Sequence, residues 1–558
     1  MVTKTPIIPS PSSVGARVLS GAGYLWLLGV IALFSLALRG AVAVEFSGMI
    51  DGEGAEYARI AQNLLSGVGY VGIATEGKQL FFPPMFPWTI AAIAFVVGDA
   101  EIAARVISVI SGSLITVPVY FVARRLYGNP TGLGAAALVG FHPHLVQFST
   151  TAFCEPFFMT LALTGICMAM RCWDEITLLR ISLLGLLYGA AYLVRPEALA
   201  YFAIVVALIV WRHWSRPQLR RHSLGIQALI LISGFLVLAG PYTAWLSVQA
   251  GKFILQGKSS VNLPTERRMQ EGMSEYEAAF GVAPDLTTQG PWMIPNITAI
   301  RQFSISAGEM PMLIATRAKR LIRDAMVTLS SNFTMGGPAL FALAVLGCFA
   351  RPWTSRQILD QLHLLLVLVI ALFGLVFTYA LQFRFYVIFI PLFCIWAAHG
   401  IRILCRWAQG TLAEVASPRT IRVPVAGAVS AIAAIAIWVP AGSSAVTAMQ
   451  ADRAQRAWKE EFVRMSADSQ QKLRLSATWT PPAFHARAEF TWLPYSDAVT
   501  ARRYLDRAGV THVVLWKGET TTPYSKSWSE TGLPNSRLVA DLPSLPSGPA
   551  IRIYELSR

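Results

Sequence analysis

Apolar residues in this chain come in long blocks separated by short polar punctuation. Blocks at 24–44, 101–123, 131–150, 153–170, 180–194, 198–211, 223–246, 337–350, 361–381, 386–404 and 423–441 approach the roughly 20 residues that a helix needs to cross a bilayer. One further block, 83–98 ("PPMFPWTIAAIAFVVG"), is short and proline-rich at its start. The Lys and Arg residues decide how to count it, because basic residues concentrate in cytoplasmic loops. If 83–98 returns to the side it came from, sixteen basic residues share one side: Lys4, Arg17, Arg124, Arg125, Arg171, Arg180, Arg212, Arg216, Arg220, Arg221, Arg351, Arg356, Arg402, Arg406, Arg419 and Arg422. Only five face outward in the shorter segments: Arg59, Lys78, Arg105, Arg195 and Arg384. If 83–98 crosses, the basic loops "ARRLYGNP" and "WRHWSRPQLRRH" fall outside. We therefore read it as a dipping or juxtamembrane helix and count about eleven spans. The first run exceeds a signal-peptide core, no small-residue cleavage pattern clearly follows it, and it reads as a retained span.

This scheme divides the chain into a cytoplasmic N-terminus (1–23), a transmembrane module (24–248) with a first outer loop at 45–82, a large extracytoplasmic loop (249–335), further transmembrane helices (336–442) and an extracytoplasmic tail (443–558). The tail reads as a small α/β domain. "SDAVTARRYLDRAG" carries start and stop signals of a helix, and "THVVLWKG" and "AIRIYEL" alternate as strands do.

Composition agrees with a polytopic membrane protein. The chain is 54% hydrophobic and 14% charged, with mean hydropathy +0.51, whereas soluble domains carry about 25% charged residues. The net charge of +15 follows the loops rather than forming a nucleic-acid surface. Six cysteines lie in or beside apolar runs, where we expect small buried hydrophobes and no disulfide framework.

The stretch "MIDGEGAEYARIAQNLLSGVGYVGI" stands out because Asp51, Glu53 and Glu56 cluster where the first span leaves the membrane. Tyr57, Ile60, Ala61, Leu64 and Leu65 recur at helical spacing, which predicts an amphipathic interfacial helix ended by Gly67 and Gly69. Acids favour a helix N-terminus by about 0.3–1 kcal/mol, which accounts for one carboxylate comfortably and three less well. The functional reading is a general base at the outer membrane surface, acting beside a lipid-held donor with a phosphate leaving group. The cations available are Lys78, Arg105, Arg195 and Arg384. Arg384, among aromatics in "LQFRFYVIFIPL", either snorkels to the interface or binds phosphate, which suits guanidinium geometry. Arg195 and Glu197 in "LVRPEAL" are positioned to pair with each other, and "RAKRLIR" (317–323) reads as an interfacial basic helix. Glu155, before Pro156, is either a helix-start acid or a second carboxylate facing Glu53.

In order along the chain, "DGEGAEYARIAQNLLSGVGYVGI", "FFPPMFPWTIAAIA", "AARVISVISGSLITVPVYFVARRLYG", "STTAFCEPFF" and "FRFYVIFIPL" resemble glycosyltransferase family 39 over about residues 20–410. The resemblance implies a C-type glycosyltransferase fold and inverting transfer of a sugar from a polyprenyl-phosphate carrier on the outer face. It implies Glu53, four positions before Tyr57, as the base, where better-known relatives carry Asp; neighbouring Asp51 remains an alternative. It places the second outer acid on Glu155, a donor-phosphate cation loosely on Lys78, and an Arg on Arg384. Arg195 joins the candidate phosphate ligands, and Glu56, Tyr57, Glu197 and Tyr386 are candidates to line the donor or acceptor pocket. No cluster has metal-ligand spacing, and no obligatory metal is expected. The tail matches no protein-mannosyltransferase domain, so a lipid or glycan acceptor is favoured over a protein.

Three rivals remain. A flippase needs charges through the midplane, whereas the acids and most arginines here sit at span ends. An oligosaccharyltransferase carries a Trp-Trp-Asp signature, and "WWD" is absent. A non-catalytic envelope assembly protein would tolerate loss of Glu53. The expected setting is a bacterial inner membrane with the site outside, membrane lipids around it and no nucleic-acid partner.

Overall fold

The computed structural model describes residues 20–214, 221–303, 308–309, 311–319, 322, 337–374, 383–413, 422–469, 471–544 and 550–557. Lys4, Arg17, Arg216, Arg220, Arg320, Arg323, Arg419 and the end of the 361–381 run lie outside these residues. Every expected apolar run contains helix. The elements are α1 (Gly21–Phe46), α2 (Gly52–Leu65), α3 (Met85–Val97), α4 (Ala100–Leu114), α5 (Thr116–Tyr127), α6 (Asn129–Gly140), α7 (Pro143–Thr150), α8 (Glu155–Asp174), α9 (Leu178–Val194), α10 (Ala198–Trp214) and α11 (Arg221–Ala250). Helices Ser259–Gln270, Gly337–Phe349, Ser355–Gly374, Ile390–Ala413 and Arg422–Ala454 follow.

Among the described residues, seven helices are long and apolar enough to cross a membrane: Gly21–Phe46, Ala100–Tyr127, Glu155–Asp174, Leu224–Ala250, Gln357–Gly374, Val387–Leu412 and Pro424–Asp468. The count of eleven does not follow from length alone. Leu178–Val194, Ala198–Trp214 and Gly337–Phe349 are shorter apolar helices. The run 131–150 divides into α6 and α7 at Phe141–His142, with Pro143 opening α7. α3 has 13 residues, about 20 Å at 1.5 Å per residue, against a hydrocarbon core of about 30 Å. It ends on Gly98 in the left-handed conformation (φ +83°).

Buried polar chemistry fixes the bundle. Arg39 of α1 is fully buried, and an intramembrane arginine is by default a functional candidate. Here Nε donates to Ser149 Oγ (3.2 Å) and Nη1 to the Gly140 carbonyl (2.6 Å), so it clamps α1 onto the ends of α6 and α7. Arg317 is also buried, against Glu266 at 3.4 Å. That corrects the interfacial basic helix expected there.

The tail forms a five-stranded sheet in the order β2-β1-β3-β5-β4. β1 (Arg474–Ala477) runs parallel to β2 (Glu489–Trp492) and to β3 (His512–Trp516). β5 (Ile551–Leu556) pairs antiparallel with β3 and with β4 (Ser536–Leu542). The expected helix is Ala498–Arg507, capped by Asp497, whose carboxylate accepts from the Val499 and Thr500 N–H groups; Gly509 (φ +67°) follows it. The last membrane helix runs on to Ala454, beyond the 442 boundary read from the sequence. The tail is tied to the first outer loop by Thr480 Oγ1 donating to the Gly52 carbonyl (3.1 Å), Trp492 Nε1 to Ala74 (2.8 Å) and the Ile50 N–H to His485 Nε2 (3.3 Å).

Candidate active site

The three carboxylates of the first outer loop divide their work. Asp51 caps α2: its Oδ1 accepts the Glu53 N–H at 3.1 Å, the exchange that helix N-termini favour. Glu53 lies in the first turn, where its Oε1 accepts from Lys258 Nζ at 2.7 Å and from the Arg384 guanidinium at 2.9 Å. Glu56 is buried and folds the loop. Its Oε2 accepts the Ile73 and Ala74 N–H groups, each at 2.8 Å, and its Oε1 accepts from the Gln79 amide. Gly72 passes so close that a Cβ there would overlap Glu56 Oε1. Glu56 is therefore a structural clasp; even so it borders the larger of the two cavities described below. α2 also differs from expectation. Ala55, Ala58, Ile60 and Ala61 are fully buried, so protein rather than lipid covers its apolar face.

The cations come from distant segments. Arg384 sits in the short 3-10 turn Phe383–Phe385, ahead of Ile390–Ala413. Its guanidinium lies 5.4 Å from the Phe153 ring centre and 5.1 Å from that of Phe385, and its Nε has no partner among the described residues. Lys258 immediately precedes Ser259–Gln270, with Nζ 4.7 Å from the Phe82 ring centre. Arg195, just past the end of α9, is gripped by Glu155 (2.7 Å) and Glu197 (3.0 Å).

Burial sets the charges apart. It would raise the Glu53 carboxyl, but Arg384 and Lys258 overcome that and hold it well below the usual carboxylate range. For Asp51 burial prevails over Arg384 and the carboxyl is raised. Burial works against the Arg384 charge, and Glu53, Glu155 and Asp51 more than restore it.

Two cavities meet at Glu53. The first, of about 460 Å³, is mainly apolar and is walled by Tyr57, Arg195, Glu197, Lys258 and, from a membrane-spanning helix, Ile370 and Phe373. The second, of about 670 Å³, lies between the first outer loop and the tail and is rich in tryptophan. Glu53, Phe82, Trp292 and Arg384 line both. The wall between the cavities thus holds an anionic proton acceptor against a cation. Tyr57 braces it, with its ring edge-on to Phe82 and Phe86 and its hydroxyl 3.4 Å from Cys154 Sγ.

Three sequence-based assignments change. Lys78 lines neither cavity; its ammonium donates to Gln249 at 3.2 Å, and Lys258 stands where a lysine was expected. Glu155 does not face Glu53 across the cavity. It is buried in the first turn of α8, holding Arg195 from behind. Tyr386 is buried and lines neither cavity. Lys258 and the tail tryptophans went unnoticed because their role depends on contacts more than 200 residues apart. A tail rich in Trp was the one visible signal. Among the described residues no three His, Cys, Asp or Glu side chains come together as a metal-ligand set.

This architecture is the C-type glycosyltransferase fold. It superposes on the Archaeoglobus fulgidus oligosaccharyltransferase tethered to an acceptor peptide, with TM-score 0.58 and 13% identity over 97% of this chain and 74% of that one. It superposes equally on ArnT from Cupriavidus metallidurans bound to undecaprenyl phosphate, with TM-score 0.56 and 12% identity over 96% and 98% of the two chains. At such identity these likenesses show the fold. Residues 82–245 match the family described as dolichyl-phosphate-mannose-protein mannosyltransferase. The undecaprenyl phosphate-alpha-4-amino-4-deoxy-L-arabinose arabinosyl transferase of Pseudomonas aeruginosa is 30% identical over 187 residues, 32% of this chain and 34% of that protein. The chain thus spans about a third of the length of the curated relatives it matches, the 34% just given. With fold and sequence together, the chain is a member of glycosyltransferase family 39.

Proposed function

We propose that this protein transfers a sugar, hexosyl or pentosyl, from a polyprenyl-phosphate carrier to an acceptor on the extracytoplasmic face of the membrane by a single inverting displacement. The observation that carries the proposal is the Glu53–Arg384 pair in the wall shared by the two cavities. The apolar cavity takes the donor, with its lipid toward the helix that carries Ile370 and its phosphate against Lys258 and Arg384. The unpartnered Arg384 Nε and the partly open Lys258 fit a phosphate monoanion as charge-assisted donors.

Glu53 accepts the proton of the acceptor hydroxyl or amine, whose lone pair attacks C1 of the sugar. The C1–O bond breaks, and the phosphate leaves with its electron pair and an added negative charge, which the cations stabilise more strongly than the ground state. In the free protein Glu53 Oε1 engages both cations. A bound phosphate competes for them, releases Glu53 and raises its basicity, so donor binding prepares the base. Arg195, held by Glu155 and Glu197, supplies a further positive edge to the donor cavity. A lipid or glycan acceptor enters from the tail side.

The test is mass spectrometry of envelope glycolipids, glycans and glycoproteins from cells with and without the gene. A sugar present only with the gene identifies donor class and acceptor together. Unchanged profiles, with the sugar carrier merely redistributed across the bilayer, reject transfer.

A further inference from the structure

The acceptor-side cavity has a chemical character of its own. Its tail wall is built from the carboxyl ends of the three parallel strands: Thr478, Trp479 and Thr480 follow β1, Trp492 ends β2 and Trp516 ends β3. In α/β sheets, ligands settle at the carboxyl ends of strands. Trp479 and Trp516 pack with ring centres 4.4 Å apart and planes 30° from parallel, and Trp458 meets Trp516 edge-on at 5.2 Å. Trp479 and Trp516 are only partly buried, which leaves a flat aromatic platform on the cavity wall. Trp292 and Trp458 also line the cavity, are more than nine-tenths buried, and carry indole N–H groups with no acceptor among the described residues. An indole N–H is a donor only, so these groups are suited to oxygen lone pairs.

The charges argue against an anionic ligand. Arg105 already donates to Glu101 (2.9 Å) and to the carbonyls of Thr150 (3.0 Å) and Gly48 (3.1 Å). Arg384 is held by Glu53 and, on the reading above, serves the donor phosphate. Asp51, Glu53, Glu56 and Asp452 face these two arginines across the same cavity. A peptide is also poorly served. Peptides pair with the open edges of a sheet, which here are β2 and β4, whereas the cavity lies at strand ends. Apolar faces beside unpaired N–H donors match a pyranose, whose C–H face packs on aromatic rings while its hydroxyls accept hydrogen bonds. The volume of about 670 Å³ lies in the range for small-ligand sites, about 300–1,000 Å³.

We infer that this cavity is a subsite for an uncharged saccharide, the part of the acceptor that the protein recognises, stacked on Trp479 and Trp516 with a hydroxyl directed to Glu53. The inference rests on the proposed transfer only for its role as acceptor; the binding itself needs no donor. The experiment is saturation-transfer NMR on the full chain in lipid nanodiscs. The probes are methyl β-D-glucopyranoside, methyl β-D-galactopyranoside, glucose 1-phosphate and a blocked Ser-Thr dipeptide.

The expected result is saturation of ring protons in at least one neutral glycoside, with glucose 1-phosphate and the dipeptide weaker. Trp479→Ala should weaken that binding about tenfold, the loss of one stacking contact. Trp479→Phe keeps an aromatic face and should bind within a few-fold of wild type. It also serves as the reporter should the alanine variant fail to fold. Stronger binding of the phosphate or the dipeptide, silence from both glycosides, or equal binding by the folded alanine variant overturns the inference. Glycoside binding without sugar transfer in cells would keep the subsite and reject the reaction. Transfer without glycoside binding would do the reverse.

Discussion

Lys258 gives the sharpest quantitative test, because only the folded arrangement brings it to Glu53. Lys258→Met keeps the apolar stem over Phe82 and removes the ammonium. The lost contact is a charge-assisted hydrogen bond of 2.7 Å, with side chains 29% and 20% exposed. Such bonds are worth about 1.5–3 kcal/mol. Partial exposure to water screens the pair and favours the lower end, about 1.5–2 kcal/mol, or roughly 10- to 30-fold in affinity. Undecaprenyl phosphate, titrated onto the purified protein in nanodiscs and read by native mass spectrometry, should bind weaker by that factor.

A second signature concerns proton transfer. Lys258 is one of the two charges that depress Glu53, and a base works above its own pKa. Removing the ammonium raises that pKa, so the acid limb of kcat/KM, which reports the free enzyme, should move to higher pH. Unchanged carrier affinity together with an unmoved acid limb would refute the view that Lys258 and Arg384 form one phosphate cradle facing the base.

Lys78→Ala should leave carrier affinity within about twofold of wild type, as expected of an exposed residue away from the cavities; a loss matching that of Lys258→Met would return Lys78 to the site. Glu56→Ala strands the buried N–H groups of Ile73 and Ala74, at about 1–3 kcal/mol each. The thermal midpoint in detergent should fall, and lost activity should track lost folded protein. His485 accepts the Ile50 N–H, and burial lowers its pKa from 6.5 to about 4. Its neutral form is thus favoured in the folded state, and between about pH 6.5 and 4 the unfolded state binds more protons. Stability of the tail dock should rise with pH across that window, by up to about 1.4 kcal/mol per unit. Hydrogen exchange at 48–52 and 481–485 should accelerate on acidification, and His485→Gln should flatten the response.

Much of the membrane architecture was legible in the sequence because hydrocarbon imposes long apolar helices with few exceptions. The first-loop helix, the capped tail helix Ala498–Arg507 and strands β3 and β5 were legible for the same kind of reason: period, cap and alternation are local. What failed was long-range. Lys78 lies near the double proline in sequence, yet the loop that Glu56 closes directs it to Gln249 while Lys258 reaches in from 205 residues away. Glu155 and Glu53 both stand at helix starts, but only a fold reveals that one carboxylate grips Arg195 and the other faces the cavities. The dual task of the acid cluster, one cap, one base and one clasp, follows from which N–H groups lie nearby, and sequence spacing does not encode that.

The central claim is that Glu53 takes the acceptor proton beside a phosphate cradle. Its most direct measurement compares cells lacking the gene after complementation with wild type or Glu53→Gln at matched membrane levels, scored by the sugar that mass spectrometry assigns to the wild type. The amide keeps the side-chain shape and cannot serve as the base, so transfer should fall by about 10²-fold or more while the purified variant still binds undecaprenyl phosphate. Full transfer by Glu53→Gln would contradict the account.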